Sequence, residues 1–362
     1  MTHSPAPRVV IVDGFGTGRA LLRELLARNV ECLHMRSDDD PIATPFDLDA
    51  YDGDLGFSGD VSDAIQLLVE LEPTAVVGGS PRATAYAEAV ADGLGLPTHA
   101  IERFGARRHA QSLLLAARPD IRPVSPQPNS LACAPQFIVN TVSDAGAHHV
   151  TDAWRLLDVQ NSVAPGPGAL ELIDPTFESA ARLFDQTRAA LDNLGVRHGA
   201  AHAQLAVADN GLRLVGATAC LMSLEPPNSV WPDAGLQAQA TVWAERLAAT
   251  ARSRCAPVVP ATYDPSRPVT IVMFRFPRRS RVTGLDGLAR LGTLPSFRGH
   301  VGPLSRGDII EPRSTWLASG GLVALIHDDP EQISADIRQF RAWESRRELY
   351  GLAPLITAHD AR

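Results

Sequence analysis

Residues 193–223 read NLGVRHGAAHAQLAVADNGLRLVGATACLMS, and the organisation of the rest of the chain can be worked out from them. Apolar residues recur at steps of three and four over residues 177–191, which predicts an amphipathic helix, and Gly195 follows where such a helix needs a left-handed end. Two short alternating segments come next, residues 201–207 and 212–215, with a D-N-G turn between them. The pattern predicts a helix followed by a β-hairpin.

Two polar side chains interrupt the small and apolar residues of the first hairpin strand. Because successive side chains of a strand point to opposite faces, His202 and Gln204 share one face of the sheet. A polar pair that core packing does not require indicates a functional surface. We expect this surface to face Asp152 or Trp154 from the neighbouring strand.

The hairpin resembles a motif of a known enzyme family. A helix that ends in L-G, followed by H-G-x-A-H-A-x, D-x-G and R-L-V, is similar to the metal-binding hairpin of ATP-grasp carboxylate–amine ligases. In that family two glutamates of the hairpin hold magnesium on the ATP phosphates, and an arginine steadies the acyl-phosphate. Here the matching positions hold Gln204 and Gly216 for the glutamates, Thr218 for an Asn or Gly, and Cys220 for the arginine.

These replacements argue against the ATP chemistry that the resemblance implies. Magnesium prefers charged oxygen ligands in octahedral geometry, whereas Gln204 offers one neutral carbonyl and Gly216 has no side chain. All 33 basic residues are arginine, so the chain has no lysine to contact nucleotide phosphates as the family does. Phosphoryl transfer depends on such electrostatic positioning. The sequence therefore predicts a protein with no nucleotide cofactor and no bound metal.

Composition limits the classes of function. The chain has 362 residues, enough for two or three domains, and a net charge of −8, which disfavours nucleic acid or an anionic membrane as the partner. Its four cysteines are widely spaced, and no apolar run is long enough to span a bilayer. The amino terminus shows no signal-peptide pattern, so we expect a cytoplasmic location. The arginine-only, alanine- and proline-rich composition suggests a bacterial genome rich in GC.

Residues 8–121 are predicted to form an amino-terminal α/β domain with a doubly wound sheet. A continuous apolar strand from Arg8, a glycine turn at residues 14–18 and a leucine-rich helix open a βαβ unit. The turn allows a dinucleotide site with Asp38 as the ribose ligand, but Arg19 stands where the third glycine belongs, so a tight turn is the alternative. The later V-V-G-G-S-P and L-G-L-P segments resemble the amino-terminal domain of the same ligases.

Residues 122–135 are rich in proline and occur where full-length relatives build the first ATP-grasp subdomain, with its lysine and its flap. A linker of this length cannot replace a folded half-domain, so the resemblance implies a truncated ATP-grasp domain. We expect an extended linker here and an α+β remnant of the ATP-grasp domain at residues 136–267. Residues 268–352 resemble the family's carboxy-terminal extension, which helps to shape an amino-acid pocket.

A second hairpin is predicted within residues 136–154. It resembles the family segment E-x-x-V-D-T-V-S-x-D-G-x-H-x-V-T-D-V-W, with Gln136 near the family's acid and Asn140 in place of an aspartate. Of the two histidines at positions 148 and 149, alternation along the strand lets only one face the surface that carries His202.

The candidate site combines both hairpins with the carboxy-terminal extension. The catalytic candidates are His202, Gln204 and Asp152, with His202 as acid or base because an imidazole exchanges protons near neutral pH. The candidates for substrate binding are Trp154, His148, Arg298, His300, Cys220 and Thr218. Two other interpretations stay open, namely Cys220 as a nucleophile and a pair of His198 with His202 as metal ligands. A small buried residue and a structural or pocket-lining imidazole are the respective alternatives.

Three functions are consistent with the sequence. The first is an enzyme of natural-product biosynthesis that acts without ATP on an amino-acid-like or amide-containing small molecule. The second is a catalytically inactive protein that binds a partner enzyme, or a second copy of itself. The third is an ATP-dependent carboxylate–amine ligase with rearranged ligands, which the missing acids disfavour. A pocket of convergent polar groups would favour the first, and a large exposed apolar patch the second.

Overall fold

The computed structural model describes residues 7–15, 17–38, 47–98, 136–157, 168–208, 211–222, 226–252, 258–276, 278–302, 304–310 and 321–355. The proline-rich linker at residues 122–135 lies outside these ranges, so its extended form and the truncation stay predictions. The chain divides into two compact units. The first comprises Met1–Ala153, Pro175–Ser223 and Gln237–Tyr263, and the second comprises Trp154–Asp174, Leu224–Leu236 and Asp264–Arg362.

The first unit begins with a parallel sheet whose strands alternate with helices. In chain order the elements are β1 (Arg8–Val12), α1 (Gly18–Leu26), β2 (Glu31–Arg36), β3 (Gly53–Phe57), α2 (Val61–Leu71), β4 (Ala75–Gly78) and α3 (Thr84–Gly93). The strand order is β3-β2-β1-β4, and the paired strands are parallel. Val9 and Ile11 pack with α1, whereas Val10 and Val12 pack with α2 and α3 on the opposite face. Helices on both faces confirm the doubly wound amino-terminal sheet.

Glycines at the end of β1 allow two backbone segments to touch. A Cβ atom on Gly18 would lie 2.9 Å from the Cα of Gly79, and one on Gly79 would lie 2.7 Å from the Cα of Gly14. The side chain of Tyr51 covers Gly14 and donates a hydrogen bond to its carbonyl at 3.3 Å. The protein itself therefore occupies the space beside these glycines, which favours the tight turn over a dinucleotide site.

The remaining elements form antiparallel sheets with flanking helices. In chain order they are β5 (Gln136–Asp144), β6 (Ala147–Leu157), β7 (Ala169–Leu172), α4 (Glu178–Leu194), β8 (Gly199–Ala208), β9 (Gly211–Thr218), α5 (Val230–Asp233), α6 (Gln239–Ala251), β10 (Val269–Met273), β11 (Ser280–Gly284), β12 (Phe297–Val301), β13 (Ile309–Ile310), β14 (Leu322–Ile326), α7 (Pro330–Ser345) and β15 (Gly351–Pro354). None of the helices in the described ranges is long and apolar enough to cross a membrane.

Four strands of the first unit lie in the order β6-β5-β8-β9, with β8 antiparallel to both β5 and β9. Helix α6 covers this sheet and packs against α1 through a core that includes Leu21 and Trp243. Gln239 joins the helix to the strands, because its Nε2 donates to the carbonyl oxygens of Thr141 and Ala201, each at 2.9 Å. Its Oε1 accepts from the backbone N–H of Met222 at 3.0 Å.

In the second unit β7 lies between the end of β6 and β10, followed by β14 and β12, while β13, β11 and β15 form a smaller sheet. Two sequence predictions differ from the structure. Residues 158–172 lack a strand pattern, yet four of them form β7, which is too short for alternation to be recognised. A helix is predicted from Ala234, yet α6 begins at Gln239 because Gly235, at φ +71°, ends the preceding turn.

We predict that Gly79→Ala destabilises the first unit by about 1–3 kcal/mol. The new methyl group would meet the backbone of Gly14 at 2.7 Å, and backbone cannot move aside as a side chain can. The control is Gly53→Ala, whose methyl group would meet only the movable end of Leu33 at 3.1 Å. Chemical denaturation, with hydrogen exchange of the β1 amides, measures both variants. Equal stability of the two would contradict the packing role of Gly79.

Candidate functional site

The helix, its end and the strand alternation position the candidate site. Helix α4 ends at Gly195 in the left-handed conformation, φ +74°, and β8 begins four residues later. Along β8 the residues Ala201, Ala203 and Leu205 are buried on one face, so the opposite face presents His202 and Gln204. The predicted polar pair is therefore brought to one surface, and the predicted helix and hairpin are present.

The register of the strands decides which residues lie opposite this pair. His202 is opposite Asn140 of β5 and Thr218 of β9, and Gln204 is opposite Ile138 and Gly216. Directly paired residues share a face, so Asn140 and Thr218 flank His202. Because β5 lies between β8 and β6, the expected direct contact of this surface with Asp152 or Trp154 does not occur in the strand pairing.

His202 is held in one tautomer by the backbone. Its Nδ1 lies 3.4 Å from the carbonyl oxygen of Cys220, and a carbonyl can only accept, so Nδ1 carries the hydrogen. Burial lowers the pKa of the imidazole, and the bond to the Cys220 carbonyl opposes this shift in part. The ring is therefore neutral at pH 7 with its lone pair on Nε2. Among the described residues, the imidazole has a hydrogen bond at Nδ1 and none at Nε2.

Gln204 is engaged by a second amide. Its Nε2 donates to the Oε1 of Gln136 at 3.0 Å, a diagonal contact across β8 and β5. The two positions that the sequence resemblance matches to magnesium-binding glutamates present a carboxamide and, at Gly216, no side chain. Within the described part of the chain no group of three or more His, Cys, Asp or Glu could hold a metal ion. The residues present do not fit a magnesium–phosphate site.

Asn140 and Asp152 form a buried polar pair beside His202. Both are almost fully buried, at 2% and 0% exposure, and the Nδ2 of Asn140 donates to the Oδ1 of Asp152 at 2.5 Å. The hydroxyl of Thr151 donates to the Oδ2 of Asp152 at 2.9 Å, and the Sδ of Met222 lies 3.2 Å from Nδ2. The Oδ1 of Asn140 has no hydrogen-bond partner among the described residues. The catalytic candidate Asp152 therefore contacts Asn140, which is the residue paired with His202 in the sheet.

Two other predicted site residues, His148 and Trp154 on β6, have side chains that contact other residues of the protein. His148 lies 2.7 Å from the Oγ of Ser143 through Nδ1 and 3.3 Å from Asp192 through Nε2, and burial lowers its pKa. Trp154 belongs to the second unit, where it is fully buried and packs edge-on against Trp231.

Cys220 is a poor nucleophile in this structure. Its side chain is buried, and burial raises the pKa of the thiol to about 12, so the reactive thiolate is not formed at neutral pH. The neighbouring candidate Thr218 is half-buried opposite His202. The metal-pair interpretation of His198 lacks support, because its Nδ1 accepts from the backbone N–H of Ala145 at 3.4 Å and no metal cluster occurs in the described ranges. Cys220 takes part in the candidate site through its carbonyl oxygen.

The two candidates from the carboxy-terminal extension lie in the second unit, on β12. Arg298 donates from Nη1 to the carbonyl oxygen of Phe297 at 2.8 Å, and its own carbonyl accepts from Ser229 at 3.3 Å. His300 is exposed and stacks on Phe297 with ring centroids 6.4 Å apart. Sequence reasoning did not select Gln136, Asn140 or Met222 for the site. The local signal for Asn140 was its place at an aspartate of the motif that residues 136–154 resemble. Its position beside His202 depends on the pairing of two strands that are far apart in the chain.

Comparison with solved structures identifies the fold. The L-amino acid ligase from Bacillus licheniformis matches with a TM-score of 0.71 at 13% identity, covering 98% of this chain and 100% of that chain. Phosphoribosylglycinamide synthetase from Anaerococcus prevotii matches with a TM-score of 0.61 at 8% identity over 97% and 100% of the two chains. The ADP complex of purK, an N5-carboxyaminoimidazole ribonucleotide synthetase, matches with a TM-score of 0.61 at 11% identity over 96% and 100%.

No protein-family model and no curated protein matches the sequence. The structural likenesses establish the ATP-grasp ligase fold, and they confirm the α/β class expected from the sequence.

We predict that acid destabilises the first unit partly through His202. Its folded pKa is lowered, so between that value and the ordinary imidazole pKa the unfolded chain binds a proton that the folded chain does not. The free energy of unfolding should be highest above the ordinary pKa, near pH 6.5, and should fall as the pH drops through it. His202→Gln should flatten this slope, and the slope that remains should come from His34 and His148, whose pKa values burial also lowers.

Chemical denaturation between about pH 7.5 and pH 5.5 measures the slope. The matched control is Gln204→Ala, on the same strand face and without a titrating group, which should change the stability but not its pH dependence. An unchanged slope in His202→Gln would contradict the burial of a neutral imidazole.

Proposed function

We propose that this chain, which has the ATP-grasp ligase fold, is an enzyme that transfers protons on an amino-acid-like or amide-containing small molecule without ATP. The observation that carries the proposal is the state of His202. Its imidazole is neutral, its Nδ1 is held by the Cys220 carbonyl, and its Nε2 has no hydrogen bond within the described part of the chain. An imidazole in this state is a proton acceptor whose tautomer is set before a substrate binds.

The surroundings of His202 support acid–base chemistry over phosphoryl transfer. Gln204 and Gln136 supply neutral amide groups, and the residue opposite Gln204 on β9 is Gly216. A loose phosphoryl-transfer transition state needs cations close to its oxygens, and the side chains of Gln204 and Gln136 carry no charge. The proposed reaction therefore uses no nucleotide and no metal.

Each protein group has a defined part in such a step. The Nε2 of His202 accepts a proton from the substrate, and the Cys220 carbonyl, as the acceptor from Nδ1–H, stabilises the imidazolium that forms. Burial disfavours the imidazolium, so the proton is readily returned to a neighbouring position of the substrate or product. The amides of Gln204 and Gln136 are placed to orient polar, uncharged groups of the substrate.

The fold and the amides support the proposed substrate class. The L-amino acid ligase from Bacillus licheniformis has the same fold, and a surface of neutral amides suits a molecule with carbonyl and N–H groups. We place the reaction in the biosynthesis of small natural products. An inactive partner protein would need no preset proton acceptor, and an ATP-dependent ligase would need carboxylates at the Gln204 and Gly216 positions, so both alternatives fit this surface less well.

We predict that the protein does not bind Mg-ATP productively. Without the two acids and without lysine, the affinity for a non-hydrolysable ATP analogue with magnesium should stay in the millimolar range or weaker, which corresponds to about 4 kcal/mol or less. Isothermal titration calorimetry measures this, with the analogue alone as the control for magnesium-dependent binding. A micromolar dissociation constant would support the ATP-dependent ligase instead.

We predict that His202→Gln lowers turnover by at least about a hundredfold and changes the melting temperature little, because a glutamine cannot accept the proton. Mass-spectrometric screening of amino-acid conjugates and amides in the absence of ATP provides the assay. The matched control is His149→Gln, whose Nδ1 lies 3.2 Å from the Pro260 carbonyl and which makes no hydrogen bond to His202 or Gln204. If His202→Gln melts several degrees lower but its folded fraction keeps full ligand affinity, His202 belongs to the scaffold.

A further inference from the structure

The carboxamide of Asn140 uses its hydrogen-bond donors but not its acceptor. One N–H bonds to the Oδ1 of Asp152 at 2.5 Å, and the Met222 sulfur lies 3.2 Å from the same nitrogen. The Oδ1 of Asn140 is buried and has no partner among the residues that the structure describes. A buried acceptor left in this state costs about 1–3 kcal/mol. A bound donor would remove this penalty.

The orientation of the amide is determined by its neighbour. Beside an ionised Asp152, a flipped amide would set its oxygen against a carboxylate oxygen, and neither atom could donate. The nitrogen must therefore face Asp152, and the oxygen must point away from it. The hydrogen bond to the carboxylate also polarises the amide and makes its oxygen a stronger acceptor.

The buried acceptor lies on the same sheet face as His202. Asn140 is paired directly with His202 in the register of β5 and β8, so the two side chains extend from the same sheet face. Met222 follows β9 and contacts the amide, and its unbranched side chain can change rotamer to admit a small group. A donor at Asn140 would be held within reach of the His202 imidazole.

We propose that the Asn140 oxygen binds the ammonium group of the substrate, which makes the substrate a small primary amine such as an amino acid with a free α-amino group. This inference rests on the proposed function, because it assigns a subsite of the same surface. An ammonium group supplies N–H donors, and its positive charge is attracted by the polarised amide and by the Asp152 carboxylate behind it. A carboxylate or a carbonyl group, which has no donor, is disfavoured at this position.

The experiment uses the full-length protein and two pairs of probes. n-Butylamine is compared with n-butanol, and L-norvaline with pentanoate, so that each pair differs in the amino group. Thermal shift and calorimetry up to about 50 mM should show that only the amines stabilise the protein. Asn140→Ser should weaken amine binding by about tenfold or more, the size expected for a charge-assisted hydrogen bond. The matched control is Thr141→Val, the next buried residue of β5, which should keep amine binding.

Three results would overturn the subsite. These are no stabilisation by either amine, equal stabilisation by n-butanol, which would assign the acceptor to a hydroxyl group or a water, and unchanged amine affinity in Asn140→Ser. If Asn140→Ser does not fold, the test is the side-chain amide resonance of Asn140 in the ¹⁵N-labelled wild-type protein. Titration with n-butylamine should shift this resonance, and an unchanged resonance would overturn the subsite. If His202→Gln still binds the amines but has lost turnover, both proposals are supported. If it binds the amines and keeps full turnover, only the proposed role of His202 is refuted.

Discussion

The pairing register of β5 and β8 is the constraint on which the candidate site depends. It sets His202 opposite Asn140, and a slip of one residue would turn both side chains toward the face where small apolar residues pack. That face has no space for larger polar side chains, because Ala201 and Ala203 are fully buried there. Gln239 adds a second restraint, since its amide bonds to the backbone of both strands at Thr141 and Ala201. The scaffold thus specifies the polar surface through packing on its other side.

Desolvation gives this surface its chemical character. It keeps the His202 imidazole neutral and the Cys220 thiol protonated, and the neighbouring side chains of Gln204 and Gln136 are neutral amides hydrogen-bonded to each other. The buried carboxylate of Asp152 is tolerated because Asn140 and Thr151 donate hydrogen bonds to it. The same network leaves the Asn140 oxygen without a donor. Buried polar groups that are only partly satisfied lower stability, and such groups occur at places where a ligand can complete them.

Much of the fold could be predicted from local patterns. The period of the apolar residues before Gly195 indicated α4, and the alternation after it indicated the hairpin of β8 and β9. The continuous apolar run after Arg8 indicated a buried parallel strand. The short strands β7 and β12 were not recognised, because four or five residues give too few repeats for a period to be read.

The candidate site was predicted only in part. The sequence determined that His202 and Gln204 share a face and that the chain contains no lysine, because alternation and residue type are local properties. The tertiary structure decided that Asn140 lies beside His202, that the Cys220 carbonyl sets the imidazole tautomer, and that Ser143 and Asp192 engage His148. Strand order, burial and hydrogen-bond partners arise from contacts between residues far apart in the chain, and no local period encodes them.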